Sequence, residues 1–401
     1  MRRVSILLAL VLACGCASSR TDRPQRESAG TGTTSTSAPV ELFAGTVDDF
    51  YRPPTDLRPA SPGTPIRIQV VSSDRATRTI RVMYHSRDVR GVDRVVTGLI
   101  THPLGEPPPG GWPVISWAHG TTGLVSKCAP SRTGDRPPSY GVEGVSVATD
   151  YIGLGPVGEI HPYLSKTAEG HAVLDIVRAA GLLPQVGAGR RWVSVGHSQG
   201  GHAAMAAAEL WREYAPELRL AGTVALAPGS DFLRTFGPLD EIVTRVVGAM
   251  MLYGALGEHP DLRPEDFAGP QLAAVADVMR EECLDGIIRE VALLPADTFW
   301  RKDPRGDPQT RALLVQNDVG DVKVDAPLLL VGGTRDERVV IERVRSLFRR
   351  VCRAGQVTRF VVVDDANHGE IVQKTAGEVS DWIRERLEGR PVDRDDCRPR
   401  R

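Results

Sequence analysis

The stretch WVSVGHSQGGHAAM, residues 192–205, decides how the rest of the chain is interpreted. A short β-branched run leads into the pattern Gly-x-Ser-x-Gly at residues 196–200, and an Ala-rich run follows. This order predicts a strand, a sharp turn and a helix, with Ser198 on the turn. Gly196 and Gly200 lack the side chains that would collide across such a turn. The pattern therefore predicts a nucleophile elbow, in which a strained backbone projects the serine hydroxyl into a cleft.

A serine at such a turn needs two partners elsewhere in the chain. Its hydroxyl is a poor nucleophile at neutral pH and needs an imidazole to take its proton, and the imidazole needs a carboxylate to fix its tautomer. In hydrolases with this elbow the chain order is serine, acid, histidine, each on a loop after a strand. Asp336 and His368 each follow a predicted strand in that order. We therefore predict a catalytic triad of Ser198, Asp336 and His368.

Other acidic and imidazole side chains lie near these positions in the sequence. Asp364 and Asp365 come only a few residues before the predicted base, so we expect them to shape its loop. His197 and His202 flank the serine. An elbow is expected to turn its neighbouring side chains away from the nucleophile, so we assign neither histidine a catalytic role.

The same chemistry needs hydrogen-bond donors for a developing oxyanion. Gln199 follows the serine at the start of the predicted helix, so its backbone N–H is the first expected donor. The apolar run 112–118 predicts a buried strand, and it ends in the small, Gly-bearing loop His-Gly-Thr-Thr-Gly at residues 119–123. Because a backbone can approach a substrate closely in such a loop, we expect the second donor at Thr121 or Thr122.

The order of predicted elements indicates the fold class. Short β-branched runs separated by polar turns predict an opening antiparallel meander at residues 66–71, 79–84 and 94–101. Further strands then alternate with helical patterns, such as residues 168–180, with Gly181 as the expected C-terminal cap. This alternation predicts an α/β fold with a doubly wound, mostly parallel sheet.

One long segment interrupts this alternation. It contains helical patterns at residues 239–256 and 271–284 and no clear strand pattern. Residues 246–256 are almost continuously apolar, which suits core packing as well as it suits a helix facing an apolar substrate. We therefore predict a helical cap at residues 229–324 and a sheet-bearing core at residues 41–228 and 325–401.

Composition excludes some partners. The chain has 401 residues, of which 41% are hydrophobic and 25% charged, as in an ordinary globular protein. The formal net charge of −1 gives no electrostatic reason to expect nucleic acid as a partner.

The N-terminus has the pattern of a targeting segment. Two arginines precede a ten-residue apolar run at residues 4–13, which is too short to span a bilayer. Cys14 and Cys16 follow in a setting that resembles a bacterial lipobox, so residues 1–16 predict an export signal with a lipid on one of these cysteines, or simple secretion. Residues 17–40, rich in Ser, Thr, Gly and Pro, predict a flexible tether. We therefore expect an exported protein that is either secreted or held at the cell surface as a lipoprotein.

The cysteines beyond the tether fit this expectation. They are even in number, and in an oxidising compartment they predict two disulfides with three possible pairings. None forms a Cys-x-x-Cys pattern, which makes a metal or redox role weak. They are Cys128, Cys283, Cys352 and Cys397.

Together these motifs resemble the secretory lipase family, whose best known members are fungal lipase A-type enzymes. The resemblance spans residues 41–397. It is carried by the loop at residues 119–123, Cys-Ala-Pro-Ser at 128–131, Asp-Tyr-x-Gly-Leu-Gly at 150–155, the elbow at 196–201, Gly-x-x-Asp at 333–336 and Asn-His at 367–368.

The resemblance implies an α/β-hydrolase fold with a helical cap, no metal or organic cofactor, and hydrolysis of acylglycerols or other carboxylic esters. The substrate would then be a lipid or a small ester. It also implies the Ser-Asp-His triad named above, and oxyanion donors at Gln199 and at the position of Thr122, where fungal members often carry an acidic residue. Finally, it implies the disulfides Cys128–Cys283 and Cys352–Cys397, the second attaching the Arg-rich C-terminal tail to a late helix.

Our first hypothesis is thus an exported serine ester hydrolase of lipase type. Within enzymes, the alternative is a general carboxylesterase, acyltransferase or peptidase with the same triad, because fold alone does not separate these. From another class, the alternative is a non-catalytic surface lipoprotein that holds an apolar ligand in an inactive hydrolase scaffold. The intact Ser-Asp-His set argues against this last hypothesis.

Overall fold

The computed structural model describes residues 40–235 and 238–398. The predicted export signal, the two cysteines proposed for lipidation and the tether up to residue 39 lie outside the described residues. From Val40 onwards the chain forms one compact unit. Within the described ranges, every helix is too short or too polar to serve as a membrane span.

A ten-stranded sheet forms the centre of this unit. In chain order its strands are β1 Glu41–Leu42, β2 Pro65–Ser73, β3 Thr77–Arg87, β4 Asp93–Pro103, β5 Trp112–Ala118, β6 Val145–Thr149, β7 Ala188–His197, β8 Arg219–Leu226, β9 Leu328–Gly333 and β10 Thr358–Val363. Their order across the sheet is β1-β2-β3-β4-β6-β5-β7-β8-β9-β10. Strands β2, β3, β4 and β6 pair antiparallel in succession, and β6, β5, β7, β8, β9 and β10 pair parallel. The predicted meander and the mostly parallel α/β sheet are both confirmed.

Helices connect the strands and make up the segment between β8 and β9, where the sequence predicts a cap. They are α1 Val47–Phe50, α2 Lys166–Leu182, α3 Gln199–Tyr214, α4 Phe232–Thr235, α5 Ile242–Gly254, α6 Pro270–Ala274, α7 Ala276–Glu281, α8 Leu284–Ala292, α9 Pro308–Gln316, α10 Ile341–Arg353, α11 Glu370–Lys374 and α12 Ala376–Leu387.

One sequence prediction about a helix end is wrong, and a second helical stretch is interrupted. Helix α2 continues through Gly181, which has no left-handed φ, and ends at a C-cap on Leu183 in extended conformation. The helical stretch predicted over residues 271–284 is divided between α6 and α7, which are separated where Val275 leaves helical geometry, and it ends as α8 begins at Leu284. Both differences concern backbone conformations that side-chain periodicity does not record.

The buried core holds the centre of the sheet rigidly. Residues 192–196 of β7 are all fully buried, and α2 packs against α3 beside them. The alanines of α3 allow this close packing because they add no bulk between helix and sheet, and those at 203, 204, 206 and 207 are fully buried. Burial of each large apolar side chain contributes about 1.5–3 kcal/mol. The turn between β7 and α3 is therefore fixed on both sides by packed structure.

The segment between β8 and β9 supplies most of one apolar cluster, which it shares with Leu124, Tyr163 and Leu164. Among its described residues there is no strand of the sheet, only helices α4 to α9 and short 3₁₀ turns. Met250, Leu272, Ile287 and Phe299 are fully buried in that cluster. The segment is therefore a packed helical layer.

Two disulfides join distant parts of the chain, and they are the pairs that the resemblance implies. Cys128–Cys283 links the loop after β5 to the N-cap of α8, across 155 residues of sequence. Beside it, the backbones of Gly123 and Cys283 form a bridge, and the N–H of Leu284 donates to the carbonyl of Thr122 at 2.8 Å. Cys352–Cys397 links α10 to the C-terminal tail.

The strand order also indicates where a ligand crevice lies. From β5 the chain moves to β6 on one side of it and then, through α2, to β7 on the other side. In open α/β sheets a ligand crevice lies at the carboxyl ends of strands where the chain changes direction in this way. The loop after β5 and the turn after β7 are the two segments that reach this point.

Candidate active site

Ser198 lies on a strained turn between β7 and α3. Its φ is 59° and its ψ is −120°, which is a conformation that costs a non-glycine residue about 1–3 kcal/mol. A Cβ on Gly196 would lie 2.0 Å from the carbonyl oxygen of Gly200, and a Cβ on Gly200 would lie 1.9 Å from that of Ala118. Only glycine fits at these two positions, so the Gly-x-Ser-x-Gly spacing produces this turn.

Asp336 and His368 form a buried hydrogen-bonded pair. The imidazole Nδ1 lies 2.8 Å from a carboxylate oxygen of Asp336, whose side chain is fully buried. The other carboxylate oxygen accepts backbone N–H bonds from Arg338 and Val339, each at 2.8 Å. Because the carboxylate is held on both sides, Nδ1 carries the proton it donates and Nε2 is left as the basic nitrogen.

One cavity contains both the serine and the histidine. Its volume is about 410 Å³, within the range of small-molecule sites, and Ser198 and His368 are both on its wall. The wall is mostly apolar, and one face of helix α5 supplies much of it through Ile242, Val243, Val246, Val247 and Met250. Ser198 and His368 thus lie on the wall of a chamber that α5 also lines, and Asp336 is hydrogen bonded to His368.

The opposite face of α5 serves core packing, the other role that the apolar run at residues 246–256 suited. Gly248, Met251 and Leu252 line a second, smaller cavity of about 70 Å³, which is also lined by Tyr163 and Ser165, and Thr244 lines both cavities. Helix α5 is therefore apolar on two sides because it lies between two chambers. The core-packing and the substrate-facing interpretations of residues 246–256 each describe one face of the helix.

The predicted oxyanion residues separate into two groups. Gln199 is the first residue of α3, and the Ser198 side chain makes no capping hydrogen bond to that helix. Thr121 lines the cavity, and its hydroxyl is hydrogen bonded to the Tyr163 hydroxyl at 2.8 Å. Thr122 is not among the residues that line the cavity, and its carbonyl accepts from the cap residue Leu284. The structure therefore directs Thr121 to the site and Thr122 to the junction with the cap.

His197 does not turn away from the site, as the sequence interpretation assumed. Its ring centroid lies 4.4 Å from that of His368, and it lines the same cavity. Burial, with a contribution from the neighbouring His368, lowers the pKa of His197 to about 4, so this imidazole is neutral at neutral pH. The interpretation failed because an elbow fixes only where the serine points, whereas the adjacent side chain follows the strand.

Sequence reasoning also missed Glu169, which is fully buried and bonded to the side chain of Gln199. A signal was present, because Glu169 falls on the same helical stripe as Ala172, Val173 and Ile176, all fully buried. The described residues contain no group of three or more His, Cys, Asp or Glu side chains placed to hold a metal ion.

A strained serine after a central parallel strand, with an Asp-His pair on later strand ends and a helical layer above, defines the α/β-hydrolase class. Residues 141–394 match the family described as secretory lipase. Since this is more than half of the chain, the protein belongs to the secretory lipase family.

Individual relatives are distant but nearly full-length. A protein of Mycobacterium tuberculosis named probable inactive lipase is 23% identical over 86% of this chain and 83% of its own length. A secreted triacylglycerol lipase of Malassezia globosa is also 23% identical, over 86% of this chain and 81% of its own. Among solved structures, a ligand-bound form of the rice cell wall degrading esterase of Xanthomonas oryzae superimposes with a TM-score of 0.70 at 21% identity, covering 82% of this chain and 100% of that one. At this identity the structural likeness establishes the fold.

Proposed function

We propose that the protein is an exported serine ester hydrolase of lipase type, which cleaves acylglycerols or other carboxylic esters through an acyl-enzyme on Ser198. The observation that carries the proposal is the 2.8 Å bond from Asp336 to Nδ1 of His368, whose side chain lines the cavity that also contains the strained serine. Family membership alone does not carry it, because one relative is named probable inactive lipase.

In the first half-reaction, Nε2 of His368 takes the proton of Ser198 as the serine oxygen attacks the ester carbonyl carbon. The negative charge then develops on the carbonyl oxygen, where the backbone N–H of Gln199 and that of Thr121 are the proposed donors. When the carbon–oxygen ester bond breaks, the imidazolium returns its proton to the leaving alcohol. Asp336 stays ionised and stabilises the imidazolium throughout.

In the second half-reaction, water attacks the acyl-enzyme. His368 takes a proton from the water, the same donors stabilise the second oxyanion, and the proton returns to the Ser198 oxygen as the carboxylic acid leaves. No group outside the chain is required by this scheme.

The cavity supports an ester with a hydrophobic acyl chain. The α5 face above Ser198 presents aliphatic side chains and Met250, which favour an alkyl chain over a charged or strongly polar group. A relative named secreted triacylglycerol lipase supports the same class of substrate.

Export is supported by the two disulfides, which belong to an oxidising compartment, and by that same secreted relative. Attachment of a lipid to Cys14 or Cys16, and thereby a membrane tether, is part of the proposal on the basis of the N-terminal sequence.

Hydrolysis of p-nitrophenyl esters from acetate to palmitate, and of emulsified triacylglycerol, tests the proposal. We expect turnover by the wild type and its loss by at least about 1,000-fold in Ser198→Ala. Ser230→Ala is the matched control, because Ser230 lies in the same cavity. This variant should retain most of the activity. Equal turnover by wild type and Ser198→Ala would overturn the triad. Activity confined to short soluble esters would show that the protein is a carboxylesterase and not a lipase.

A further inference from the structure

A buried polar cluster lies directly beneath the serine turn, and Glu169 of α2 is its centre. One carboxylate oxygen accepts from the side-chain amide of Gln199 at 2.7 Å and from the backbone N–H of Leu164 at 2.9 Å. The other oxygen accepts from Nδ1 of His202 at 2.7 Å. Glu169, His161 and His202 are fully buried, and the cluster lies outside the proposed triad.

The chemistry of the cluster favours a charged carboxylate. Burial strongly opposes the charge, but the neighbouring histidines, above all His202 through its hydrogen bond and its charge, outweigh it and hold the pKa of Glu169 below its usual range. Burial also opposes a charge on His202, and the adjacent carboxylate nevertheless raises the pKa of that imidazole. A buried carboxylate held in this way has a fixed position, because any displacement would leave its charge without partners.

The amide of Gln199 is fixed by two contacts. Its nitrogen also lies 2.8 Å from Nε2 of His161, whose Nδ1 lies 2.8 Å from the carbonyl of Ile152. Since Nδ1 must donate to that carbonyl, Nε2 is the nitrogen available to accept. The Gln199 amide therefore donates to both His161 and Glu169, and its orientation is determined by the cluster.

The carboxylate of Glu169 bonds to two residues that line the cavity with Ser198. Gln199 supplies the proposed first oxyanion donor through its backbone, and Leu164, held at a φ of 59°, lines the same cavity. The cluster also reaches the cap, because Nε2 of His202 donates to the carbonyl of Asn317 at 2.7 Å at the end of α9.

We propose that Glu169 is a positioning residue for the reaction: by holding the Gln199 side chain and the Leu164 backbone, it fixes the Gln199 N–H at the place where the oxyanion forms. The inference rests on the proposed function, since it assigns Glu169 a role in that same site. Misplacement of a donor by a fraction of an ångström is expected to reduce the rate by about 10- to 100-fold, because a fully removed donor costs about 100- to 1,000-fold.

The test compares substitutions of two buried carboxylates on the same helix. Glu169→Met keeps the volume and removes the acceptors, Gln199→Met removes the partner side chain but keeps the backbone N–H, and Glu169→Gln keeps an acceptor. Asp175→Leu is the matched control. Asp175 is also fully buried in α2, and it bonds to Ser86, Tyr214 and Arg178 instead of to the elbow.

Three measurements are made on each variant: kcat and KM for p-nitrophenyl butyrate, the kcat/KM ratio between an oxygen ester and its thiono counterpart, and amide hydrogen exchange at residues 198–202. A thiono sulfur is a weak hydrogen-bond acceptor, so the ratio reports on the oxyanion donors. We expect Glu169→Met and Gln199→Met to lower kcat about 10- to 100-fold with KM within about 2-fold, to reduce the ratio, and to accelerate exchange at the elbow. Glu169→Gln should recover most of kcat, and Asp175→Leu should change stability without changing the ratio.

Wild-type kcat and ratio in folded Glu169→Met would overturn the proposal, and so would equal losses in Asp175→Leu. If Glu169→Met does not fold, Gln199→Met decides the same question by the same readouts. A wild type that hydrolyses no ester would overturn the proposed function; the hydrogen-exchange comparison would still decide the role of Glu169, because unchanged protection of residues 198–202 in Glu169→Met contradicts positioning.

Discussion

The Nε2–H of His197 donates a hydrogen bond to the backbone carbonyl of His368, with a nitrogen–oxygen distance of 2.9 Å. The residue that precedes the serine therefore holds the loop that carries the proposed base. Because its pKa is lowered to about 4, His197 is neutral over the pH range in which esters are assayed, and Nε2 remains its donor. A fixed His368 backbone aims the imidazole between Asp336 and the serine.

Replacement of His197 by Phe keeps a ring at this position and removes the donor. We expect kcat for p-nitrophenyl butyrate to fall about 10-fold with little change in KM, because the base loses one of its supports while the substrate-binding wall remains. His171→Phe is the matched control, since His171 is also partly buried and also bonds to a backbone carbonyl, that of Arg87 at 2.8 Å, away from the site. An unchanged kcat in His197→Phe would contradict the supporting role.

His171 also predicts a pH dependence of stability. Burial, aided by the charge of Arg178, lowers its pKa from 6.5 to about 4. As the pH falls from about 6.5 to 4, the unfolded chain binds a proton that the native protein does not, so this residue lowers the free energy of unfolding over that window by at most about 1.4 kcal/mol per pH unit. In His171→Phe this contribution is absent. The free energy of unfolding of the variant should therefore rise relative to that of the wild type as the pH falls.

Urea unfolding at pH 7.5, 6.5, 5.5 and 4.5 measures the effect. The loss of the bond to Arg87 gives a constant offset at every pH, whereas the titration changes the difference between the two proteins. Parallel pH curves would contradict the assignment of a neutral, buried His171.

The two faces of α5 predict different effects of one bulky residue. Val247 lines the cavity with Ser198, and Met251, one turn later, lines the smaller cavity. Val247→Trp should reduce kcat/KM for p-nitrophenyl palmitate at least about 10-fold relative to acetate, because the indole fills the space for a long chain. Met251→Trp should leave that ratio within about 2-fold of the wild type. Equal chain-length profiles for the two variants would show that the acyl chain does not lie along this face.

Neighbouring threonines provide a further comparison. Thr121→Val removes the bond to Tyr163, and the loss of about 1 kcal/mol corresponds to a roughly 5-fold lower kcat if it loosens the proposed donor. Thr122→Val should leave kcat unchanged, because Thr122 contacts the cap through its carbonyl, which the substitution keeps. A larger loss of kcat in Thr122→Val than in Thr121→Val would indicate that Thr122, and not Thr121, supplies the donor.

The parts of this protein that could be predicted from sequence are those with local causes. A β-branched run, two glycines and an Ala-rich run are enough to predict β7, the turn at Ser198 and α3, since each requirement is met by adjacent residues. The loops that carry Asp336 and His368 were predictable for the same reason, as each directly follows a strand.

The remainder depends on contacts between distant residues. Which of Thr121 and Thr122 faces the cavity depends on Tyr163 and Leu284, which lie 42 and 162 residues away from their respective partners. The bond between Glu169 and Gln199 joins two helices, and the sequence contains only an acidic residue on an apolar stripe. The orientation of His197 likewise depends on the His368 loop, 171 residues later.

The disulfide between Cys128 and Cys283 makes one link of the folded protein depend on the compartment that the chain has reached. It ties the loop that carries Thr121 to the cap, and a chain in a reducing cytoplasm lacks this bond. Under the proposed function, the covalent link beside the site would therefore be completed only after the chain has left the cytoplasm.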